Sequence, residues 1–148
     1  MNVTFPKIRL SGLAIAASVL LAPLASQAQT EVQFWHSMVA VNGEWVNDLA
    51  KDFNASQKDY KIVPVFKGSY DESMTAAIAA FRAGNAPHIL QVFEVGTATM
   101  MASKGAVVPV AQIMKDAGYK FDPTAYVSAV AGYYTAPNGQ MLSFPFNS

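Results

Sequence analysis

Between residues 32 and 118, short apolar runs alternate with longer segments whose apolar residues recur at the spacing of an amphipathic helix. The short runs are typical of strands, and the longer segments are typical of helices. A helix between two strands returns the chain to the same end of the sheet, so that consecutive strands run in parallel. The alternation therefore predicts an α/β fold.

Strands are predicted in three places. The first covers Val32–Trp35, the second lies in the run YKIVPVFKG at residues 60–68, and the third is HILQVFE at residues 88–94. Pro64 has no backbone N–H to donate to a ladder, which predicts that the second strand lies at an edge of the sheet or carries a bulge. Pro87 favours an extended conformation at the residue before it and so begins the third strand.

Amphipathic helices are predicted between these strands. In the segment 42–57, Trp45, Leu49 and Phe53 recur at every fourth position and lie on one face of the predicted helix. Acids and lysines occupy the other positions. The pattern predicts that these three side chains form the buried face of the first helix.

The second helix has the clearest start signal in the chain. Ser69 and Glu72 match the capping box, in which the serine hydroxyl caps the helix and the glutamate reaches back to the serine amide. The helix is predicted to end at Gly84, because glycine adopts the left-handed conformation without a side-chain penalty. Its buried stripe is predicted to consist of Met74, Ala77, Ile78 and Phe81.

After residue 95 the pattern is weaker. It predicts a short helix with Thr97 as its cap and Gly105 as its end, a strand at 106–110, a helix at 111–118 and a hairpin whose turn is Asn138-Gly139. The sequence then closes on the apolar run FPFNS with no further predicted element. We therefore expect the domain to continue beyond this run.

The first 28 residues have the composition of a cleaved export signal. A short basic head precedes the apolar segment Leu10–Leu21, and the small residues Ser26 and Ala28 precede the predicted cleavage site. The apolar segment is shorter than the roughly 20 residues that a membrane-spanning helix needs. We therefore predict an exported, soluble protein whose mature chain begins at Gln29.

Charge and cysteine content exclude several classes of function for the mature chain. Removal of residues 1–28, which contain Lys7 and Arg9, leaves eight of the ten basic residues against ten acidic ones. Such a chain has no electrostatic reason to bind nucleic acid. There is no cysteine, so a packed core must stabilise the exported fold without disulfides. The two histidines, His36 and His88, are far apart, and neither a metal site nor another cofactor is predicted.

An exported hydrolase is the opposing hypothesis. The sequence contains no G-x-S-x-G, H-E-x-x-H or P-loop motif. A catalytic role for Glu94 as a general acid would need a second carboxylate at a suitable distance, and the sequence offers no obvious one at a strand end. The acids Asp71 and Glu72 are better explained by helix capping. We therefore predict a binding protein and not an enzyme.

Glu94 stands where the third predicted strand ends. Ligands of open α/β sheets bind beyond the carboxyl ends of the strands, which makes this position a candidate cleft. An ionised carboxylate accepts hydrogen bonds and repels a phosphate, so it suits the hydroxyl groups of a polyol. The alternative is an acid that ends a strand in contact with water.

The stretches FWHSM, YKIVPVFKGSY, AAIAAFRAGNAPHILQVFEVGTATMMASKGAV and GQMLSFPFNS extend over most of residues 32–148. They resemble the extracellular solute-binding proteins of ABC importers, and among these the members whose ligand is sn-glycerol 3-phosphate. The resemblance implies that residues 29–148 form the N-terminal lobe of a two-lobe periplasmic-binding-protein fold, which is incomplete because the second lobe is missing. It also implies a periplasmic location, a small-molecule ligand, and ABC permease and ATPase subunits as partners.

The ligand contacts of this family fall on two residues of the sequence. The tyrosine of its K-G-x-Y segment corresponds to Tyr70, and the glutamate of Q-V-[FY]-E-V-G corresponds to Glu94. The resemblance further implies a ligand serine directly after the motif that ends at Ser148. Three functions remain open: binding of sn-glycerol 3-phosphate, binding of another small polyol or a sugar such as maltose, and a truncated product that binds poorly because closure of two lobes supplies most of the binding free energy.

Overall fold

The computed structural model describes residues 28–103 and 105–147. The predicted export signal therefore lies outside the described residues, apart from Ala28. The elements in chain order are β1 Thr30–His36, α1 Ala40–Ser56, β2 Tyr60–Phe66, α2 Tyr70–Arg82, β3 Ile89–Leu90, a 3-10 turn Glu94–Gly96, α3 Thr97–Ala102, α4 Val110–Asp116, a second 3-10 turn Pro123–Ala125 and α5 Ser128–Tyr133. The predicted α/β fold is confirmed.

The sheet has β1 at its centre, with β2 on one side and β3 on the other. Both pairings are parallel, and β1 matches β2 from the pair Thr30–Tyr60 to the pair His36–Phe66. Within the described residues β2 is an edge strand, so Pro64 occupies an edge as predicted. Parallel pairing follows from the helical crossovers α1 and α2.

The third strand is shorter than predicted. It covers Ile89–Leu90, and the segment up to Glu94 is not a strand. The Gln91 amide still donates to the carbonyl of Trp35 at 2.9 Å, but beyond it the Gln91 side chain, and not the backbone, accepts the amide proton of Ser37, directly after β1. The prediction of a strand through Glu94 is therefore wrong, although Glu94 does follow the carboxyl end of β3.

Helix α1 forms where the sequence predicts it, but it buries a neighbouring stripe of side chains. Val46 and Ala50 are buried, whereas Trp45, Leu49 and Phe53 are 43%, 45% and 43% exposed. The predicted buried face is wrong in these residues. The smaller side chains Val46 and Ala50 therefore form the buried stripe of α1.

Helix α2 starts with the predicted capping box. The Glu72 amide donates to Ser69 Oγ at 3.3 Å, and the Ser69 amide donates to Glu72 Oε2 at 2.7 Å. Gly84 follows the helix in the left-handed conformation, with a φ of 74°. Ala77 is buried as predicted, but Phe81 is 43% exposed, so the predicted stripe is wrong at its last residue.

The second half of the chain departs further from prediction. The predicted strand at 106–110 is absent, because residues 107–109 are irregular and α4 already begins at Val110. The predicted hairpin is reduced to one antiparallel bridge between Thr135 and Met141. Gly139 takes the positive φ that its turn requires, at 82°. Thr97 is not a helix cap, since α3 begins at this residue and Gly96 occupies the cap position.

Ala40, the first residue of α1, has a φ of 49°. The left-handed conformation costs a residue with a Cβ roughly 1–2 kcal/mol. We expect Ala40→Gly to raise the free energy of unfolding by about 0.5–1 kcal/mol, because the relief exceeds the entropic cost of glycine in the unfolded chain. Urea denaturation followed by circular dichroism measures this difference.

Ala79→Gly is the matched control, because Ala79 is an exposed residue inside α2 with ordinary helical geometry. This change should lower the free energy of unfolding by about 0.5–1 kcal/mol. Equal destabilisation by both glycines would contradict a strained backbone at Ala40.

Candidate functional site

The carboxyl ends of β1 and β3 lie side by side at one edge of the sheet, which we call the carboxyl edge. After β1 the chain crosses to β2, and after β2 it crosses to β3 on the other side of β1. Ligands of open α/β sheets usually bind beyond the strand ends at such a change of direction. The segment that follows β1 begins at Ser37, and the one that follows β3 begins at Gln91.

A buried amide joins these two strand ends. The side chain of Gln91, which is 7% exposed, accepts the Ser37 amide proton at its Oε1 at 3.0 Å. Its Nε2 donates to Asn147 Oδ1 at 3.4 Å. Gln91 therefore fixes the spacing of the two strand ends and ties residue 147 to the same edge. The sequence pattern did not single out this residue, because its role depends on partners more than 50 positions away.

Glu94 is exposed and opens the 3-10 turn that leads into α3. It lines a cavity of about 540 Å³, whose other walls include Thr97, residues 133–137 and Leu142. Glu94 is the only carboxylate among these described lining residues, and none of them is a cation. The cavity therefore offers one strong hydrogen-bond acceptor on otherwise neutral walls.

Tyr70 is the first residue of α2, directly after the loop that leaves β2. Its ring stacks on Phe93, with 5.2 Å between the centroids and an interplanar angle of 24°. Phe93 directly precedes Glu94, so this stack links Tyr70 to the backbone next to Glu94. Tyr70 is not among the residues that line the Glu94 cavity. A direct ligand contact by either side chain stays a prediction.

Trp35 and His36, at the end of β1, are buried beneath this edge. Trp35 packs in the core, and its indole N–H donates to Gln33 Oε1 at 3.0 Å. Lys67 Nζ lies 3.8 Å from the centroid of the Trp35 ring, a cation–π contact that the sequence did not predict. His88 Nδ1 accepts the Gln33 amide proton at 3.1 Å.

Burial lowers the pKa of His36. Its Nδ1 accepts the Met38 amide proton at 3.3 Å, and its ring lies between those of Phe34 and Phe66. A protonated ring would place two N–H donors against each other at this nitrogen. The neutral imidazole is therefore the form that fits the carboxyl edge.

The folded protein should lose stability in mild acid because of His36. The unfolded chain takes up a proton at an ordinary histidine pKa of about 6.5, whereas the folded chain resists protonation until lower pH. The contribution of neutral His36 to the free energy of unfolding is thus complete above about pH 6.5, and it declines as the pH falls towards the lowered pKa of the folded protein. Urea midpoints at pH 7.5 and 5.5 test this for the protein and for His36→Asn, whose amide oxygen can accept the same proton without titrating. An equal loss in both proteins would assign the pH dependence to other groups.

The chain matches the family of bacterial extracellular solute-binding proteins over residues 39–148. It is 56% identical over 142 residues to the sn-glycerol-3-phosphate-binding periplasmic protein of Yersinia enterocolitica. The aligned residues make up 95% of this chain and 32% of that protein. The protein of the same name from Brucella suis is 54% identical over 121 residues, or 82% of this chain and 28% of its own length. The chain thus spans about a third of the length of the curated relatives that it matches. No helix in the described residues is long and apolar enough to cross a membrane.

Proposed function

The chain belongs to the family of bacterial extracellular solute-binding proteins, and from this we propose that it is the periplasmic substrate-binding component of an ABC importer for sn-glycerol 3-phosphate. The relatives that support this assignment carry that ligand in their names and share 49% to 56% of their residues with the chain. The proposed role is binding and delivery of the ligand, and it includes no reaction.

The observation that carries the proposal is the position of Glu94. It lies in a cavity beyond the carboxyl end of β3, where this class of sheet binds ligands. The carboxylate can accept hydrogen bonds from the two hydroxyl groups of the glycerol unit, and its charge repels the phosphate. We therefore assign Glu94 to the glycerol end of the ligand.

Tyr70 is the second proposed contact. Its phenol can donate or accept a hydrogen bond, and its ring is held by the stack on Phe93. This stack fixes the phenol relative to the backbone that carries Glu94, which favours a shared ligand. The described walls of the Glu94 cavity contain no cationic side chain to balance the charge of a phosphate, and we assign such groups to a second lobe.

The proposed mechanism is closure of two lobes around the ligand. Ligand that contacts both lobes stabilises the closed state, and the permease subunits recognise that state. The ligand shifts the equilibrium only by the difference between its affinities for the closed and open states. Contacts made by one lobe alone therefore give weak binding and no transport signal.

A second candidate is a binding protein for another small polyol or a sugar. A carboxylate in a mostly neutral cavity suits any ligand that presents hydroxyl groups, which is the observation that favours this candidate. The two candidates differ in their need for phosphate. Competition by glycerol or maltose, with no effect of the phosphate ester, would identify the second.

Uptake in the source bacterium tests the proposed function. We expect deletion of the gene to abolish high-affinity uptake of radiolabelled sn-glycerol 3-phosphate and to leave maltose uptake unchanged, and a plasmid copy to restore it. Normal uptake of the phosphate ester in the deletion strain would overturn the proposal. Loss of maltose uptake would support the second candidate instead.

A further inference from the structure

We propose that the Tyr134 phenol is a further ligand contact, which faces Glu94 across the cavity and selects ligands that carry a hydroxyl group at the glycerol end. This inference rests on the proposed function, since it assigns a specificity role within the same site. Tyr134 lines the cavity together with Glu94, and it belongs to the wall formed by residues 133–137.

The backbone holds Tyr134 in this wall from two directions. Its amide closes the end of α5 by donating to the carbonyl of Ala131 at 3.2 Å. Its carbonyl accepts the Leu142 amide proton at 2.9 Å. The neighbouring bridge between Thr135 and Met141 is anchored by Met141, which is 1% exposed. The wall is therefore attached to the core although it lies more than 30 residues from Glu94 in the sequence.

The Tyr134 ring is also oriented by its neighbour. It packs edge to face against Tyr133, with 5.2 Å between the ring centroids and an interplanar angle of 71°. Burial raises the pKa of the Tyr134 phenol, and the nearby charge of Glu94 raises it further. The phenol therefore keeps its proton at neutral pH and remains available as a donor. Tyr134 Oη forms no hydrogen bond with another described side chain.

Glu94 and Tyr134 are complementary in hydrogen bonding. The carboxylate can only accept, whereas the neutral phenol can donate and accept. A ligand hydroxyl between them can donate to Glu94 and accept from Tyr134, which satisfies both of its roles. A ligand with a hydrogen atom at that carbon would leave the phenol and the carboxylate without this partner, and such sites reject ligands that lack the expected hydroxyl.

The test uses Tyr134→Phe, which removes the hydroxyl group and keeps the ring. Calorimetric titration of the full-length protein, which includes the second lobe, compares sn-glycerol 3-phosphate with two propanediol phosphates that each lack one glycerol hydroxyl. We expect the substitution to weaken binding of the natural ester by about 3- to 10-fold, the effect of one lost hydrogen bond. It should leave unchanged the affinity for the analogue that lacks the contacted hydroxyl.

Tyr119→Phe is the matched control, because Tyr119 is 68% exposed and lies outside the cavity. It should bind all three ligands like the parent. If Tyr134→Phe binds the natural ester as tightly as the parent, or weakens all three ligands equally, the inference is wrong while the proposed function stands. If the parent itself does not bind the ester, the proposed function fails first.

Discussion

Replacing Glu94 with alanine is expected to weaken binding of sn-glycerol 3-phosphate by about 10- to 100-fold, because hydrogen bonds to a charged acceptor contribute about 1.5–3 kcal/mol. Glu94 is exposed, so its removal should leave the fold intact. The affinity of the full-length protein, which includes the second lobe, is measured by calorimetric titration, and the urea midpoint is measured on the same preparation. Glu94→Gln should fall between the parent and the alanine variant, since it keeps an acceptor and loses the charge.

Glu31→Gln is the control for a general effect of charge. Glu31 forms a surface ion pair with Lys61 at 3.1 Å, where the two side chains are 61% and 50% exposed. Exposed pairs of this kind contribute little to stability, so this variant should bind like the parent. Equal affinities of the parent and Glu94→Ala would show that Glu94 is a solvated residue and not a ligand contact. A lowered urea midpoint in Glu94→Ala would instead assign it a structural role.

Local signals in the sequence predict the first part of the fold well. The capping box at Ser69 and Glu72 needs only residues three positions apart, and both of its hydrogen bonds form. The edge position of β2 follows from the missing N–H of Pro64. Such features depend on neighbouring backbone groups, so a short window of sequence contains nearly all of their physical cause.

The faces that the helices bury could not be predicted as reliably. Val46 is 1% exposed, although Trp45 beside it is the larger apolar side chain. The choice between adjacent stripes depends on how α1 lies on the sheet, which the spacing of its apolar residues does not specify. The same reason applies to Phe81 of α2, which matched the period of the buried stripe and is exposed.

Of the two residues proposed to face each other in the candidate site, Glu94 follows from a local rule and Tyr134 does not. The rule that ligands bind beyond strand ends led to Glu94 even though β3 ends earlier than predicted. No such rule points to Tyr134. The sequence pattern places its segment in a hairpin strand, whereas in the structure Tyr134 stands at the end of helix α5. The Asn138-Gly139 turn was a usable signal, because it brings Met141 back against Thr135 and so fixes the wall that contains Tyr134.

Replacing Met141 with alanine is expected to lower the free energy of unfolding by about 2–5 kcal/mol. The side chain is 1% exposed, and its loss leaves a cavity where residues 135–141 meet the segment that leads into α4. The Met141 carbonyl accepts the Ala111 amide proton at 3.4 Å, so the backbone at this point also joins the turn to α4. Urea denaturation followed by circular dichroism gives the change.

Val127→Ala is the control for this substitution, because Val127 is 72% exposed and should change the free energy of unfolding by less than about 0.5 kcal/mol. A loss below about 1 kcal/mol in Met141→Ala would mean that Met141 does not anchor the turn.

The substitutions Tyr134→Phe and Met141→Ala should also affect ligand binding in different ways. Tyr134→Phe keeps the anchor and removes a ligand partner, so it should lower affinity at unchanged stability. Met141→Ala keeps the phenol and releases the wall, so its loss of affinity should follow its loss of stability and should extend to ligands that lack a hydroxyl group.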